Sequence, residues 1–233
     1  LARWTDPDLG EISPAIFIPL AEQAGFIDSL TKQLFAKAIE CARQWPDDVF
    51  LSLNLSSVQL VDPTTAFAVL TMLQKMDFDP RRIEIEITET AIMSDPPTAD
   101  RIIDEMRATG INVLLDDFGT GQSSLGRLRD FSFDKVKIDQ SFVAALEEDE
   151  QSSHIVRAIV NMCEALGLAV IAEGIETENV ARKLIELGCT IGQGYHFGRP
   201  ANAETTIALF DDEKVRETGR LDCSVTRAGC YGG

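Results

Sequence analysis

Residues 113–121 read Val113-Leu114-Leu115-Asp116-Asp117-Phe118-Gly119-Thr120-Gly121, an apolar run that ends in two adjacent carboxylates and a glycine-containing turn. The run is typical of a buried β-strand. Two neighbouring Asp side chains at its end repel each other unless a positive group lies beside them. A hard divalent cation such as Mg²⁺ or Mn²⁺ would serve, because it prefers carboxylate oxygens. The same residues also suit a strand-to-turn junction whose Asp side chains cap a following helix. Alone, the stretch leaves both interpretations open.

Strands and helices alternate around this stretch. Hydrophobic patterning predicts six strands, at 49–54, 82–87, 111–116, 135–138, 168–172 and 189–191. Helices are predicted from Pro14 (capped by Ser13) to Gly25 and at 28–45, 65–76, 98–109, 123–129, up to 166, 177–187 and 203–210. This alternation implies parallel βαβ units, and about 25 residues per unit is close to the spacing of a (β/α)₈ barrel. An open doubly wound sheet is the alternative, but no glycine-rich nucleotide loop follows the first predicted strand.

The predicted fold is therefore an α/β protein with a modified (β/α)₈ TIM-type barrel. Leu1-Ala2-Arg3-Trp4 reads as the end of a strand that begins upstream, so the first strands of the barrel are expected ahead of Leu1. The barrel is assigned to residues 1–210. Residues 211–233 are polar and aperiodic, and are predicted to form a weakly ordered tail.

The composition argues against several classes of function. The chain has 233 residues and a formal net charge of -17, so its long-range field repels nucleic-acid polymers and anionic membranes. A phosphate-bearing substrate would need metal ions or a few placed cations. No apolar run reaches the roughly 18 residues of a membrane span. Five cysteines without a Cys-x-x-Cys pair are typical of reduced thiols, so a cytoplasmic location is expected and a zinc site or disulfide framework is not.

Polar side chains stand at the predicted carboxyl ends of the strands, where barrels of this type carry their chemistry. They are Asn54, Glu86, Asp116 with Asp117, Lys137, Glu173 and Gln193. Each alone has an ordinary explanation as a helix cap, a turn residue or a solvated surface group. Together at one end of one barrel they form a ring in which the carboxylates need metal charge to coexist. The sequence therefore favours the metal-site interpretation of the paired Asp residues.

A series of motifs resembles the EAL-domain family, bacterial phosphodiesterases that open the cyclic dinucleotide c-di-GMP. The resemblance runs from Leu1 to about Pro200, on the motifs Leu1-Ala2-Arg3-Trp4, Phe17-Ile18-Pro19-Leu20-Ala21-Glu22, Asn54-Leu55-Ser56, Glu86-Ile87-Thr88-Glu89, Asp116-Asp117-Phe118-Gly119-Thr120-Gly121, Val136-Lys137-Ile138-Asp139, Ala172-Glu173-Gly174-Ile175-Glu176 and Gln193-Gly194-Tyr195. It implies a modified barrel with one antiparallel strand. It also implies two Mg²⁺ or Mn²⁺ ions that activate an attacking water, and linear 5′-pGpG as product.

The resemblance also implies roles for individual residues. Metal ligands are implied at Asn54, Glu86, Asp116, Asp117 and Glu173, and Asp116 is similar to the carboxylate that bridges the two ions. Lys137 resembles the residue that holds the attacking water; the implied catalytic group is Lys137, Glu173, Asp116 and Asp117. Substrate contacts are implied for Arg3, Gln193 and Asp139. Glu89 resembles the residue that anchors the loop after Asp117, and Glu176 resembles a residue that supports the ligands. That loop implies a homodimer, and an upstream sensor or GGDEF-type domain is expected.

The chain departs from the family pattern in a few places. The family's Glu-Ala-Leu motif ends at Leu1, so its Glu, a further metal ligand, would lie two positions upstream; a chain truly lacking it is expected to be poorly active. Gln122 and Gln140 replace an aromatic residue and an Arg, which bears on affinity more than on chemistry. His154 and His196 lie outside the ligand positions. Two alternative functions stay open: a receptor that binds c-di-GMP without cleaving it, and a structural barrel with vestigial carboxylates.

Overall fold

The structure is a computed structural model that describes residues 2–119, 128, 130–147, 149–211 and 224–225. Its strands are Trp4–Asp6 (β1), Gly10–Ile12 (β2), Leu51–Asn54 (β3), Ile83–Thr88 (β4), Asn112–Phe118 (β5), Lys135–Ile138 (β6), Ala169–Ala172 (β7), Ile191–Gly192 (β8) and Ser224–Val225 (β9). β1 and β2 form an antiparallel hairpin. The other seven strands form one sheet in the order β3-β4-β5-β6-β7-β8-β9, and neighbouring strands in it are parallel. The predicted α/β class and barrel-type sheet are confirmed.

In the described part of the chain, helices separate the parallel strands as the alternation of the sequence predicts, apart from the connection between β5 and β6, most of which lies outside it. They are Pro14–Gln23 (α1), Ile27–Ala42 (α2), Ser57–Leu60 (α3), Thr65–Lys75 (α4), Glu89–Met93 (α5), Pro96–Arg107 (α6), Gln140–Ala144 (α7), Glu150–Leu166 (α8), Glu178–Glu186 (α9) and Ala203–Asp211 (α10). Short 3₁₀ turns cover Pro80–Arg82 and Ala145–Glu147. Within the described part of the chain, no helix is both long and apolar enough to cross a membrane.

The strands separate an apolar face from a polar one by simple alternation. In β4, Ile83, Ile85 and Ile87 are buried in the large hydrophobic core that the sheet shares with the helices. Glu84 and Glu86 alternate with them and are also buried. Because successive side chains of a strand point to opposite faces, these two glutamates must lie on the inner face of the sheet. Ionisable groups therefore line the inner face of the sheet, while the isoleucines pack against the helices on the outer face.

The sheet curls around that inner face. In a flat sheet, β4 and β7 would lie about 14 Å apart, because β5 and β6 separate them. Yet Glu86 at the end of β4 and Glu173 just after β7 both reach the Nζ of Lys137 on β6, at 2.9 Å and 2.6 Å. Such convergence fits the curved wall of a barrel, which turns these side chains toward one another. It gathers the carboxyl ends of four strands at one point.

Helix starts follow the capping chemistry of the sequence. Ser13 caps α1, where its hydroxyl accepts a hydrogen bond from the backbone N–H of Ala15, and Pro14 occupies the first turn. Thr177 caps α9 in the same way, accepting from Val180 N. The predicted helix at 28–45 ends earlier than expected, at Ala42. Arg82 of the next unit donates hydrogen bonds to the backbone oxygens of Ala42, Trp45 and Pro46 at and beyond this end.

The amino-terminal segment and the end of the chain differ from the sequence predictions. Residues 4–6 pair with residues 10–12 as a hairpin around the predicted turn, and this is the antiparallel pairing that the described strands contain. Ser224 and Val225 add a short parallel strand beside β8, which patterning does not predict. The rest of the predicted tail after Asp211, and the predicted helix at 123–129 apart from Leu128, lie outside the described residues.

Candidate metal centre

Lys137 lies at the centre of the inner face, where three carboxylates surround its ammonium group. The Nζ atom is 2.6 Å from Glu173 Oε1, 2.9 Å from Glu86 Oε2 and 3.1 Å from Asp116 Oδ1. Lys137 is only 3% exposed. At these distances each contact is a charge-assisted hydrogen bond. The lysine thus joins residues from β4, β5, β6 and the segment after β7.

Burial and charge oppose each other at this cluster. Burial alone would lower the pKa of Lys137, but the negative charges of Glu86, Glu173 and Asp116 outweigh it and raise that pKa. Burial raises the pKa of Glu173 to about 7, and the neighbouring Asp116 adds to the rise while Lys137 opposes it. The pKa of Asp116 is also raised, again chiefly by burial. One lysine does not balance this many carboxylates, so the site is short of positive charge.

A bulge turns the two adjacent Asp residues to the same side. Leu115 pairs with Val136 and Phe118 pairs with Ile138, so β5 carries one more residue than β6 between these pairs. In a regular strand Asp116 and Asp117 would face opposite ways, but a bulge re-aims a side chain locally. Asp117 adopts a φ of 55°, and its N–H donates to Asp116 Oδ1 at 3.0 Å. The register break explains how a pair of consecutive residues can serve one site.

The resulting group of oxygens fits a divalent cation. Asp116, Asp117 and Glu173 each place a carboxylate oxygen so that all three lie within 4.8 Å of one another. A set of oxygen donors with excess negative charge suits the hard cations Mg²⁺ and Mn²⁺ rather than zinc or copper. Asn54, at the end of β3, is in register with Glu86 on β4, so both lie at the same edge as this group. The residues present are therefore compatible with the implied metal site.

Several inner-face residues near the cluster were not predicted from the sequence. Ser52 donates its hydroxyl to Glu86 Oε1 at 2.5 Å, so both oxygens of Glu86 have partners. Two residues earlier in β4, Glu84 forms an ion pair with Lys135. The ammonium of Lys135 also lies 5.1 Å from the centre of the Phe50 ring. Glu84 Oε2 is buried without a hydrogen-bond partner among the described residues. The sequence does contain a pattern that could have indicated these residues. Ser52, Glu84 and Lys135 each lie two residues before a predicted site residue, and side chains two residues apart in a strand point to the same face.

Two other predicted site residues, Arg3 and Asp139, make contacts outside the Lys137 cluster. Arg3 is 3.7 Å from Glu11 across the β1-β2 hairpin. Asp139 caps α7, where its carboxylate accepts from Ser141 N at 2.9 Å. Gln193 is partly buried and Glu176 is exposed. The roles of these residues stay predictions.

Glu89 is predicted to anchor the loop after Asp117. Glu89 begins α5, and its Oε2 is buried without a hydrogen-bond partner among the described residues. Its expected partner, the loop after Asp117, includes Thr120, Gly121 and Gln122, which lie outside the described residues. Gln140 begins α7 and packs close to Gly174, directly after Glu173.

The turn after Glu173 is fastened to the segment after β8. Ile175 N donates to Gln193 O at 3.1 Å, and His196 N donates to Ile175 O at 3.0 Å. Gly194 passes so close to this turn that a Cβ atom on it would lie 2.1 Å from Ile175 O. Only glycine allows this approach. The motif Gln193-Gly194-Tyr195 therefore fixes the backbone that carries Glu173.

Gly194→Ala is expected to lower the free energy of unfolding by about 2–3 kcal/mol, because the added methyl group must displace backbone rather than a side chain. Urea denaturation of the metal-free protein measures this loss. Gly25→Ala is the matched control: its φ is +67° but nothing lies within 4 Å of an added Cβ, so it should cost only about 1 kcal/mol of backbone strain. Equal losses for both variants would contradict the steric argument.

Comparison with known proteins agrees with this geometry. The EAL domain family matches residues 1–200. The cyclic di-GMP phosphodiesterase RocR of Pseudomonas aeruginosa is 34% identical over 203 residues, which are 86% of this chain and 52% of RocR. The structure of the PaMucR phosphodiesterase in complex with c-di-GMP superposes with a TM-score of 0.82 at 35% identity, covering 88% of this chain and 84% of that one. The manganese and c-di-GMP complex of BlrP1 from Klebsiella pneumoniae has a TM-score of 0.69 at 30% identity, covering 74% of this chain and 45% of that one. The chain spans only a quarter to about half the length of the first curated relatives that it matches.

Proposed function

The chain belongs to the EAL domain family, and on that premise we propose that it is a metal-dependent phosphodiesterase that hydrolyses cyclic di-GMP to linear 5′-pGpG. The observation that carries the proposal is the arrangement of Glu86, Asp116 and Glu173 around Lys137, with Asp117 turned toward the same point. This is a buried, oxygen-rich site with too little positive charge of its own. A divalent cation would supply the missing positive charge, and a phosphodiester could then bind to that cation.

In the proposed reaction the cations would be held by Asn54, Glu86, Asp116, Asp117 and Glu173. Two Mg²⁺ or Mn²⁺ ions would lower the pKa of the attacking water and stabilise the charge that develops at phosphorus. Attack forms one P–O bond and breaks the bond to a ribose 3′ oxygen, which opens the ring and leaves a 5′-phosphate. Relatives that are named as cyclic di-GMP phosphodiesterases, and a neighbour solved with manganese and c-di-GMP, support this choice of substrate and ion.

Lys137 acts in this proposal as a fixed positive charge and not as a base. Its raised pKa keeps the ammonium protonated at neutral pH. A protonated lysine can only donate hydrogen bonds. We therefore assign Lys137 to orienting the attacking water and to stabilising the negative charge of the transition state. In the metal-free structure its three N–H donors face Glu86, Asp116 and Glu173, so it can orient a water only after a cation has taken over one of these carboxylates.

The affinity for Mn²⁺ should fall as the pH falls below about 7. The pKa of Glu173 is raised to about 7 in the metal-free protein, so below that pH a cation must displace a proton from it. We expect a loss of about tenfold per pH unit between pH 7 and pH 5.5. Isothermal titration calorimetry at several pH values measures this slope, and Glu173→Gln should bind more weakly with a flatter slope. An affinity that does not change over this range would contradict the assignment of Glu173.

The stability of the metal-free protein should change with pH in the opposite sense. A raised carboxyl pKa means that the folded protein holds the proton more tightly than the unfolded chain does. Between the ordinary value of 4.5 and about 7, the folded state therefore gains stability as the pH falls. Bound cations remove this gain, because they occupy the oxygen that the proton would take.

The substrate-binding roles of Arg3, Gln193 and Asp139 and the supporting roles of Glu89 and Glu176 are part of the same proposal. So is a homodimer through the loop after Asp117, most of which lies outside the described residues. A fused sensor or GGDEF-type domain is likewise proposed. The product formed from cyclic di-GMP in the presence of Mn²⁺ tests the activity: linear pGpG supports it, whereas binding without cleavage favours the receptor alternative.

A further inference from the structure

Gln59, on α3, is buried although its side chain is an amide. It is 5% exposed. Its Oε1 accepts hydrogen bonds from Ser56 N at 3.2 Å and from Thr31 Oγ1 at 3.3 Å. Its Nε2 donates to Asp28 Oδ1 at 3.1 Å. The amide therefore links the first turns of α2, which carry Asp28 and Thr31, to the turn that follows β3.

That turn carries Asn54, one of the proposed metal ligands. Leu55 N donates to Glu86 O at 3.1 Å, which fixes one side of the turn to β4. Gln59 fixes the other side, because it accepts from Ser56 two residues after Asn54. The Asn54 side chain itself is exposed. Its position relative to the carboxylates therefore depends on the backbone from Asn54 to Ser56, and that backbone is held between β4 and Gln59.

We propose that Gln59 is a positioning residue for Asn54, and that through it the affinity of the site for a divalent cation depends on helix α2. The inference rests on the proposed function, in which Asn54 is a ligand. Groups that orient metal ligands typically change metal affinity by about 10- to 100-fold when they are removed. Gln59 contacts no proposed ligand directly, so its effect must pass through the backbone of the turn.

The chemistry of the contact explains why an amide is required at this position. One side chain must accept from Ser56 and Thr31 and also donate to the Asp28 carboxylate. A glutamate could accept but not donate, and it would place a second negative charge against Asp28. Leucine could do neither. Asp28→Asn combined with Gln59→Glu would restore a donor and an acceptor facing each other with the roles exchanged.

Calorimetric titration with MnCl₂ tests the proposal without substrate, in a metal-free chain that begins ahead of the family's Glu-Ala-Leu motif and so carries its glutamate. We expect Gln59→Leu and Gln59→Glu to bind Mn²⁺ about 10- to 100-fold more weakly than the unmodified chain. We expect the Gln59→Glu, Asp28→Asn pair to recover to within about threefold, because the exchanged hydrogen bond holds the turn again. Thermal denaturation followed by circular dichroism confirms that each variant is folded.

A double-mutant cycle separates positioning from general loosening of the fold. If Gln59 acts through Asn54, then Gln59→Leu should have no further effect on Mn²⁺ affinity once Asn54 is replaced by Ala. Additive losses, or a folded Gln59→Leu variant with unchanged affinity, would overturn the inference. If Gln59→Leu does not fold, the comparison of Gln59→Glu with its Asp28→Asn partner decides in the same way. An unmodified chain that does not bind Mn²⁺ would instead overturn the proposed function itself.

Discussion

Asp116→Asn is expected to reduce turnover of cyclic di-GMP by at least about 10³-fold, because it removes the one carboxylate that is proposed to bind both cations. The fold should survive. The pKa of Asp116 is raised in the metal-free protein, so its charge is disfavoured there, and a neutral amide of the same shape should not lower the free energy of unfolding. Lys137 keeps its contacts with Glu86 and Glu173.

The measurement is the rate of pGpG formation at saturating Mn²⁺, with urea denaturation of the metal-free variant. Asp149→Asn is a matched control: Asp149 caps α8 by accepting from Gln151 N and Ser152 N, and Asn caps a helix equally well. That control should keep full activity. Near-normal turnover in Asp116→Asn would contradict the bridging role.

Lys137→Met should have the largest effect on stability. It leaves two buried carboxylates, Glu86 and Asp116, and the half-buried Glu173 without their counter-charge, which typically costs about 3–5 kcal/mol of the free energy of unfolding. At lower pH the carboxylates can bind protons and lose their charge, so the loss of free energy of unfolding should be larger at pH 8 than at pH 6. Added Mn²⁺ should stabilise this variant more than the unmodified protein, since it supplies the missing charge. Turnover should fall by about 10²- to 10³-fold even with cations bound.

Urea denaturation at both pH values, with EDTA or with Mn²⁺, measures these effects. Lys183→Met is the control, because Lys183 lies outside the site and its Nζ donates to the backbone oxygen of Leu146. A Lys137→Met protein that is as stable as the original at pH 8 would show that the ammonium does not balance the carboxylates.

Patterning was sufficient to predict the strands that build the site. The alternation Ile83-Glu84-Ile85-Glu86-Ile87 predicts a strand with one apolar face, and the structure places that face in the core. Residues 135–138 are predicted and observed with the same bounds. The polar positions at strand ends also follow from sequence, because parallel strands bring their carboxyl ends to one edge.

The other features of the site depend on distances between strands of the sheet, which a sequence does not contain. The convergence of Glu86, Asp116 and Glu173 on one Nζ atom follows from the curl of the sheet, which patterning cannot measure. The Glu84–Lys135 pair was missed because a charged residue in a strand is usually read as solvated. The cap that the Asp139 carboxylate provides for α7 is likewise a contact that strand patterning does not predict.

The hairpin β1-β2 shows the limit of local patterning most clearly. Three extended residues before a turn read equally well as the end of a parallel strand or as half of a hairpin, and the antiparallel partner is itself only three residues long. The approach of Gly194 to Ile175 is likewise invisible in the sequence, because those residues belong to different βα units. Both features depend on contacts between segments and not on any local propensity.

The most direct test of the proposed phosphodiesterase activity is to identify the product formed from cyclic di-GMP. A chain that begins ahead of the family's Glu-Ala-Leu motif is incubated with cyclic di-GMP and Mn²⁺, and the products are separated by reversed-phase chromatography; Asp116→Asn and EDTA serve as controls. If the protein is a metal-dependent phosphodiesterase, linear 5′-pGpG accumulates and both controls abolish it. Tight binding of cyclic di-GMP with no linear product, under conditions where Mn²⁺ is bound, would contradict that activity and identify the protein as a receptor.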